Sequence, residues 1–191
     1  MAEFYDIVVS LKASDVMMSV KAYTLASQAF NYPLHIGITE AGTAFSGAIK
    51  SSMGIGILLN EGIGDTLRIS LASDPVEEIR VAKEILSTFD LYKKPKLIAC
   101  PSCGRTQYDM FTVVKEIEAF LDTLKNTDIK VAIMGCIVNG PGEASDADVG
   151  IAGGTNEAML FKHGKVIKKV NQVDIIPVLK QEILDIIKSS K

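Results

Sequence analysis

The stretch LIACPSCGR (Leu97–Arg105) is followed, after a helix-length spacer, by VAIMGCIVNGPGE (Val131–Glu143), and these two segments decide how the chain is interpreted. They contain all three cysteines of the sequence: Cys100, Cys103 and Cys136. In each segment a short apolar run precedes a loop rich in Gly and Pro, which is the pattern of a buried strand and the loop after it. Neighbouring strand ends would bring Cys136 back to the other two cysteines, so the spacing predicts a metal site.

Several chemistries compete for these thiols. A structural zinc ion needs four ligands, but there is no fourth cysteine and the two histidines, His35 and His163, do not form a ligand-like pair. A disulfide is not expected, because the cysteine count is odd and no signal peptide is visible. An iron–sulfur cluster held by three thiolates fits better, with one iron left for an oxygen ligand such as Glu143. A redox Cys-x-x-Cys pair with Cys136 as a buried thiol remains the alternative.

The composition narrows the functional class. The 191 residues can form one sizeable core or two small domains. A net charge of -3 and a pI near 5.4, without a Lys/Arg cluster, argue against a nucleic-acid surface. The hydrophobic content is 48%, yet charges and glycines interrupt every apolar run before it reaches the ~18 residues of a membrane span. We therefore expect no nucleic-acid or membrane partner, and a cytoplasmic location in which the thiols stay reduced.

The first part of the sequence predicts three strand–helix units, the signature of a parallel sheet covered by helices. The predicted strands are Asp6–Lys12, Pro33–Thr39 and Thr66–Ser70, and the predicted helices are Val16–Ala29, Thr43–Leu59 and Asp74–Phe89. Polar side chains lie at the strand ends, where β/α folds place their active sites: Ser10, Lys12, Thr39, Glu40, Arg68 and Ser70. His35 lies inside an apolar strand and is expected to be a satisfied residue of the strand wall rather than a ligand.

The charged, proline-terminated segment Asp90–Pro95 predicts a boundary between domains 1–92 and 93–191. The second domain is predicted to be a small α/β domain with a mixed sheet. Its predicted strands are Lys96–Ala99, Lys130–Met134, Asp148–Ala152, Ala158–Lys162 and Lys165–Val170, and its predicted helices are Met110–Leu124 and Gln172–Lys188. His163 and Gly164 are expected to form a hairpin turn.

Five motifs, in this order, resemble the 4-hydroxy-3-methylbut-2-en-1-yl diphosphate synthase family. They are SLKAS (Ser10–Ser14), GITEAGT (Gly37–Thr43), EGIGDTLRISL (Glu61–Leu71), CPSCGR (Cys100–Arg105) and MGCIVNGPGE (Met134–Glu143). The resemblance covers essentially the whole chain. It implies an α/β fold in which a partial TIM-type barrel, its last three β/α units, precedes a small [4Fe-4S] domain resembling sulfite and nitrite reductases.

The resemblance also implies an activity. The family reductively opens and dehydroxylates 2-C-methyl-D-erythritol 2,4-cyclodiphosphate to (E)-4-hydroxy-3-methylbut-2-enyl diphosphate in isoprenoid biosynthesis, with electrons from reduced flavodoxin or ferredoxin. On this resemblance Cys100, Cys103 and Cys136 match the cluster ligands, and Glu143 matches the carboxylate on the fourth iron.

The remaining site residues follow from the same resemblance. Lys12, Arg68 and Ser70 match residues that hold the diphosphate of the substrate. Thr39 and Glu40 match residues close to the reacting carbons, with Glu40 as the expected proton donor. Asn139, near the cluster, matches a residue that contacts substrate.

A complete barrel needs about eight strands, whereas the sequence predicts three strands before Asp90. The chain is therefore expected to be the C-terminal portion of a longer protein, inactive alone. The family resemblance implies a homodimer in which the cluster domain of one subunit covers the barrel of the other. The alternative is a non-catalytic iron–sulfur electron-transfer module.

Overall fold

The structure is a computed structural model that describes residues 4–124 and 127–189. The outer ends of the two predicted domains, residues 1–3 and 190–191, and the dipeptide 125–126 lie outside the described residues. The chain divides into two compact units, Met1–Tyr92 and Lys93–Lys191. Each unit is described by itself below.

The first unit alternates helices with short parallel strands. Its elements are α1 (Val16–Ala29), β1 (His35–Ile36), α2 (Ala44–Asn60), β2 (Thr66–Leu67) and α3 (Pro75–Thr88). Helix α1 confirms the predicted bounds, because the Asp15 side chain accepts a hydrogen bond from the Met18 N–H and satisfies the first turn. β1 and β2 pair in parallel, with His35 opposite Thr66.

The three predicted strands of this unit are longer than those observed. The segment predicted as Asp6–Lys12 forms only one isolated parallel bridge, between Val9 and Leu34. Parallel backbone hydrogen bonds nevertheless continue beyond the short strands, from Thr39 N–H to Ala13 O (3.2 Å) and from Arg68 N–H to Ile36 O (2.9 Å). The prediction was wrong in extent because ladder hydrogen bonds depend on the neighbouring segments, which local residue preference does not report.

Alternation along these extended segments separates a core from a polar face. Ile36, Ile38 and Ile69 are buried. Ile36 and Ile69 belong to a core cluster that also draws residues from α1, α2 and α3. Successive side chains of an extended segment point to opposite faces. The opposite side of the segments is the polar face, defined by Ser10, Lys12, His35, Gly37, Thr39, Thr66, Arg68 and Ser70.

The second unit is a five-stranded sheet with helices against it. Its elements are β3 (Lys96–Ala99), α4 (Met110–Asp122), β4 (Lys130–Met134), α5 (Gly140–Glu143), β5 (Val149–Gly153), β6 (Glu157–Lys162), β7 (Lys165–Asn171), a 3₁₀ turn at Gln172–Asp174, and α6 (Ile175–Ser189). The strand order is β3-β4-β5-β6-β7. β3, β4 and β5 run parallel, whereas β6 and β7 are antiparallel to their neighbours. The mixed sheet predicted from the sequence is confirmed.

Periodic apolar residues attach α4 and α6 to the sheet. The buried side of α4 repeats every three or four residues, as expected for an amphipathic helix: Met110, Val113, Ile117 and Leu121. These side chains share one core with α6 and strands β4 to β7. A smaller cluster, which includes Ala132, Met134, Ala144 and Phe161, packs on the other side of the alternating strands. Within 4–124 and 127–189, no helix is both long and apolar enough to cross a membrane.

Two local predictions in this unit need correction. The Gly-Pro-Gly sequence, expected to lie in the loop after the strand, forms the short helix α5, whose Pro141 occupies an early helical position that needs no N–H donor. The terminal helix was expected from Gln172, but its first residues form a 3₁₀ turn and α6 begins at Ile175. His163 (φ 45°) and Gly164 (φ 73°) form the predicted hairpin turn between β6 and β7.

Candidate functional site

The cysteine segments follow two adjacent parallel strands. Ala99 at the end of β3 lies opposite Ile133 in β4, and the Cys100 N–H donates to Ile133 O at 3.1 Å. Cys100 therefore continues the ladder, and Cys136 begins the loop of the neighbouring strand. Cys100 and Cys136 are half-buried and Cys103 is exposed, and all three are free thiols. The topology thus places both cysteine loops at one edge of the sheet, as the apolar runs predicted.

Gly135 allows the two loops to approach each other. A Cβ atom at this position would lie 3.3 Å from Cys100 Sγ and would overlap Thr106 Oγ1. The Cys100 side chain therefore lies directly beside the backbone that leads into Cys136. Any larger residue at position 135 would have to push the loop that contains Cys103 and Thr106 away from β4.

Hydrogen bonds shape the loop between Cys100 and Thr106. Ser102 has a left-handed backbone (φ 66°), and its N–H donates to Cys100 Sγ at 3.3 Å. The hydroxyl groups of Ser102 and Thr106 lie 3.1 Å apart, and Thr106 N–H donates to Cys103 O at 3.0 Å. A non-glycine residue in this region of backbone space costs about 1–3 kcal/mol. Here the strained Ser102 directs its N–H to the Cys100 sulfur. Hydrogen bonds of this kind to cysteine ligands help to set the reduction potential of iron–sulfur clusters.

Tyr108 joins this loop to the sheet. Its hydroxyl donates to Met134 O at 3.0 Å, and its ring lies so close to Gly153 of β5 that a side chain there would overlap it. Burial, and then the negative charge of Cys100, raise the pKa of Tyr108. The phenol therefore stays protonated and keeps its hydrogen bond near neutral pH. Tyr108 holds the end of β4 in place, directly before Cys136.

The donor set fits an iron–sulfur cluster in its chemistry, because three thiols lie on two adjacent loops and one of them already accepts an N–H bond. Within residues 4–124 and 127–189, however, no three His, Cys, Asp or Glu side chains converge as a metal-holding group. Glu143 is exposed at the end of α5, and its N–H donates to Asn139 O at 2.9 Å. Asn139 is exposed and immediately precedes that helix. The structure places these candidate residues in neighbouring loops without a closed coordination shell.

The hairpin turn of the antiparallel strands supports the segment after α5. His163 N–H donates to Ala147 O at 3.0 Å. A Cβ atom on Gly164 would lie 3.2 Å from both Pro141 O and Ser145 Cβ. The turn therefore packs against the segment that carries Glu143.

In the first unit, Lys12 and Arg68 come together across Gly37. A Cβ atom on Gly37 would lie 2.5 Å from Arg68 O and 3.2 Å from Lys12 Cδ, so the Lys12 stem crosses the central segment at the residue without a side chain. Burial, and then the positive charge of Arg68, lower the pKa of Lys12. Among the residues that the structure describes, neither cation has a carboxylate within salt-bridge distance. Two cations without such a partner form a site suited to an anion.

Ser70 orients Arg68. The Arg68 Nε–H donates to Ser70 Oγ at 3.1 Å, which leaves the terminal nitrogens of the guanidinium available for a ligand. Thr39 lies beside the lysine segment, where its N–H bonds to Ala13 O. The structure thus brings Lys12, Thr39, Arg68 and Ser70 to one face of the first unit.

Glu40 follows Thr39 in a strained loop. Its φ is 52°, and the side chain is exposed. Ala41, next in the chain, is fully buried, and Gly42 O accepts a hydrogen bond from Ala72 N–H at 2.8 Å. The loop is therefore fixed on the C-terminal side of Glu40 while the carboxylate stays accessible, an arrangement often found at functional sites.

Sequence reasoning missed three residues that the geometry singles out. Thr106 and Tyr108 organise the cysteine loop, and the short polar run GRTQYD after Cys103 was the available signal. His35 was expected to be only a satisfied wall residue. It does bond to Thr66, with Nδ1 2.8 Å from Thr66 Oγ1, but its ring also lies within the electrostatic influence of Lys12 and Arg68.

Two protein-family models match the chain. One is described as the GcpE TIM-barrel domain and matches residues 1–83, and the other is described as the GcpE protein C-terminal domain and matches residues 96–185. The match to the GcpE TIM-barrel domain supports the prediction that the first unit belongs to a barrel-type β/α family.

Curated relatives named 4-hydroxy-3-methylbut-2-en-1-yl diphosphate synthase (flavodoxin) are similar to the chain over nearly its whole length. The protein from Listeria monocytogenes serotype 4b (strain CLIP80459) is 56% identical over 182 residues, which are 95% of this chain and 49% of the relative. The protein from Geobacillus thermodenitrificans (strain NG80-2) is 54% identical over 182 residues, or 95% and 48%. The protein from Clostridium perfringens (strain 13 / Type A) is 53% identical over 188 residues, or 98% and 52%.

The chain therefore spans about half the length of the curated relatives it matches. The motif resemblance drawn from the sequence is confirmed by both kinds of comparison. Since family models cover both units and the relatives share more than half of the aligned residues, the chain belongs to the GcpE family and is homologous to the 4-hydroxy-3-methylbut-2-en-1-yl diphosphate synthases.

Proposed function

We propose that this chain supplies the cluster domain and part of the substrate site of a 4-hydroxy-3-methylbut-2-en-1-yl diphosphate synthase. Its first unit would be the last three β/α units of a TIM-type barrel, and its second unit a [4Fe-4S] domain of the sulfite and nitrite reductase type. The observation that supports the proposal is that Cys100 and Cys136 follow the adjacent parallel strands β3 and β4, with Cys100 Sγ close to Gly135, the residue before Cys136. The relatives' name supports the reaction.

The polar face, through Lys12 and Arg68, is proposed to bind the cyclic diphosphate of 2-C-methyl-D-erythritol 2,4-cyclodiphosphate. Each phosphate of this diester carries one negative charge near neutral pH, which Lys12 and Arg68 can neutralise through charge-assisted hydrogen bonds. The hydrogen bond from Arg68 to Ser70 pre-orients the guanidinium. Because the Arg68 side chain is already ordered, ligand binding loses less free energy to immobilising it.

Glu40 is the proposed proton donor. Reductive ring opening breaks a bond between carbon and a phosphate oxygen, and the hydroxyl that leaves needs a proton to depart as water. The carboxyl is exposed and directly follows Thr39 of the polar face in the chain, in a loop with a left-handed backbone at Glu40. Asn139, exposed before α5, is the proposed substrate contact of the second unit.

Cys100, Cys103 and Cys136, with Glu143, are the proposed ligands of the cluster. A [4Fe-4S] cluster in this place would supply the two electrons of the reaction. The residues of the chain would set its environment: Ser102 N–H donates to the Cys100 sulfur, and Tyr108 holds the end of β4. Reduced flavodoxin or ferredoxin is the proposed electron donor, in keeping with the flavodoxin in the relatives' names.

The protein would act in the reducing cytoplasm as a homodimer, once the other half of the family's length is present. By itself, a chain with half of that length is expected to bind the cluster but not to turn over substrate. Turnover would require the rest of the barrel, because three β/α units form only part of a barrel of about eight strands.

The test is iron, sulfide and zinc analysis with EPR on anaerobically purified protein, before and after addition of the cyclodiphosphate. About four iron and four sulfide per chain, with a signal that changes when substrate binds, are expected for a [4Fe-4S] cluster with an open iron. Zinc, or free thiols without iron, would contradict the cluster. A cluster with no turnover, even when the missing half of the Listeria relative is supplied, would instead favour an electron-transfer module.

The role of Glu40 is tested in the same complemented protein. Glu40→Gln should keep the iron content and the EPR signal but lower turnover at least about a hundredfold. Normal turnover of this variant would remove Glu40 as the acid.

A further inference from the structure

We propose that His35 is a third anion-binding group of the Lys12–Arg68 site and takes up a proton when a doubly charged phosphate ligand binds. The inference deepens the proposed function, on whose diphosphate site it rests. It concerns a residue that the family motifs of the sequence did not include.

The position of His35 on the polar face comes from strand register. β1 contributes His35 and Ile36, and Ile36 is buried in the core of the unit, so the alternation directs the imidazole to the other side. His35 lies opposite Thr66, two residues before Arg68, and two residues before Gly37, over which the Lys12 stem passes. The ring therefore lies one layer below the two cations on the same face.

Hydrogen bonds fix both the backbone and the ring of His35. Its carbonyl oxygen accepts from Tyr23 Oη at 2.8 Å and from Ser10 Oγ at 3.1 Å. Nδ1 lies 2.8 Å from Thr66 Oγ1. Among the described residues, Nε2 has no partner, so it is the nitrogen that can meet a ligand. When the ring is protonated, Nδ1–H can donate to Thr66 while Nε2–H remains free to donate to a phosphate oxygen.

The charges around the ring explain why a proton would enter only with the ligand. Partial burial, then the positive charge of Lys12, and then that of Arg68 lower the pKa of His35. These two cations are the charged groups that act on the ring, and Thr66 on the neighbouring strand is its polar partner. A dianion among the three groups would cancel this repulsion and attract a proton to the ring, which raises the pKa of His35.

Proton uptake makes ligand binding depend on pH in a defined direction. Between the pKa of the free site and the higher pKa of the occupied site, affinity should fall by up to about tenfold per unit rise in pH. The cyclodiphosphate and sulfate are suitable probes, because neither changes its own charge near neutral pH. A loss of affinity with pH is then assigned to the protein.

The test is an NMR titration of the histidine ring signals of the 191-residue chain, with and without cyclodiphosphate, and in parallel with sulfate. The sequence contains two histidines, so His35→Gln and His163→Gln assign both signals. His163 is the matched control, because it is exposed in the hairpin turn of the other unit. The ligand should raise the pKa of His35 and leave His163 unchanged, and calorimetry in buffers of different ionisation enthalpy should show proton uptake.

Each outcome decides a different claim. One outcome is that the wild-type chain binds the cyclodiphosphate and Lys12→Gln does not, while the pKa of His35 in wild type does not change on binding. This outcome overturns the inference and retains the diphosphate site. A second outcome is that sulfate raises the pKa of His35 but the cyclodiphosphate does not bind. This outcome retains the anion site and overturns the proposed substrate. No effect of either probe overturns both. The variant His35→Gln should bind the cyclodiphosphate about tenfold more weakly and without proton uptake, and the wild-type titration decides the question even if this variant is unstable.

Discussion

Cys100 and Gly135 lie side by side: a Cβ atom on Gly135 would be 3.3 Å from Cys100 Sγ. This contact brings the two cysteine loops together in space, because Cys100 follows β3 and Gly135 directly precedes Cys136. The glycine is therefore part of the proposed cluster site although it contributes no ligand.

Gly135→Ala should disrupt the cysteine site while the sheet remains. The added methyl group would overlap Thr106 Oγ1 and press against Cys100 Sγ, so iron content after anaerobic purification should fall to about a tenth of wild type. Gly104→Ala, in the same loop, is the control, because its Cβ would meet nothing within 4 Å. A Gly135→Ala protein with full iron and sulfide would refute the role assigned to this contact.

Ser70→Ala tests whether the hydrogen bond to Arg68 prepares the anion site. Without the Oγ acceptor, the Arg68 guanidinium must be ordered by the ligand itself. The Kd for the cyclodiphosphate, measured by calorimetry, should rise about fivefold to tenfold, and Arg68→Gln should raise it further. Lys21→Gln, an exposed lysine on α1, should leave the Kd unchanged. An equal effect of Lys21→Gln and Arg68→Gln would mean that only net charge matters, and an unchanged Kd for Ser70→Ala would refute the role of its hydrogen bond.

Helix α2 contains a matched pair of glycines that should respond in opposite directions. A Cβ on Gly56 would make ordinary contact with Phe89 Cζ at 3.5 Å, so Gly56→Ala should raise the free energy of unfolding by about 0.5–1 kcal/mol. A Cβ on Gly54 would lie 2.6 Å from the Cδ1 atom of buried Ile38, so Gly54→Ala should lower it by about 1–2 kcal/mol. Urea denaturation measures both. Equal effects would contradict the packing of α2.

Glu182 should make the stability of the second unit depend on pH. Its carboxylate binds Lys162 Nζ at 2.8 Å and Lys168 Nζ at 2.9 Å. The hydrogen bond from Lys162, and then that from Lys168, lower the pKa of Glu182 below its usual 4.5. In acid the unfolded chain takes up this proton first, so the stabilisation is complete above about pH 4.5 and is lost as pH falls through the folded pKa.

Glu182→Gln should therefore lower the free energy of unfolding by about 1 kcal/mol at neutral pH. The difference from wild type should close in acid, where both side chains are neutral. Glu118→Gln, an exposed carboxylate on α4, is the control and should show no such pH-dependent difference. Thermal denaturation across the pH range measures both variants, and a Glu182→Gln deficit that persists in acid would argue against the ion pairs as its cause.

In the first unit, local chemistry predicted the helices better than the strands. Asp15 and the apolar spacing after it were enough to locate α1, because a helix satisfies its hydrogen bonds within one segment. The segment Asp6–Lys12 has the residues of a strand, yet it forms only one bridge, because a strand needs a partner along its whole length. The Gly-Pro-Gly sequence suggested an irregular loop, but Pro141 at an early helical position is compatible with one helical turn there.

The candidate site was predictable where topology determines it. Two apolar runs followed by cysteines indicated adjacent strand ends, and β3 and β4 are adjacent. The relation of His35 to Lys12 and Arg68 was not predictable from residue types, because it depends on the register of three segments. A lone histidine in an apolar run gives no information about its partners across the sheet.

The alternation between a buried isoleucine face and a polar face limits how this sequence can change in length. Removing one residue before His35 would turn Ile36 towards the ligand side and place the imidazole in the core. Such a single-codon deletion would abolish the core and the anion site together. Length variation in homologous proteins is therefore expected in the loops after these segments, and the extended segments themselves should keep a fixed number of residues.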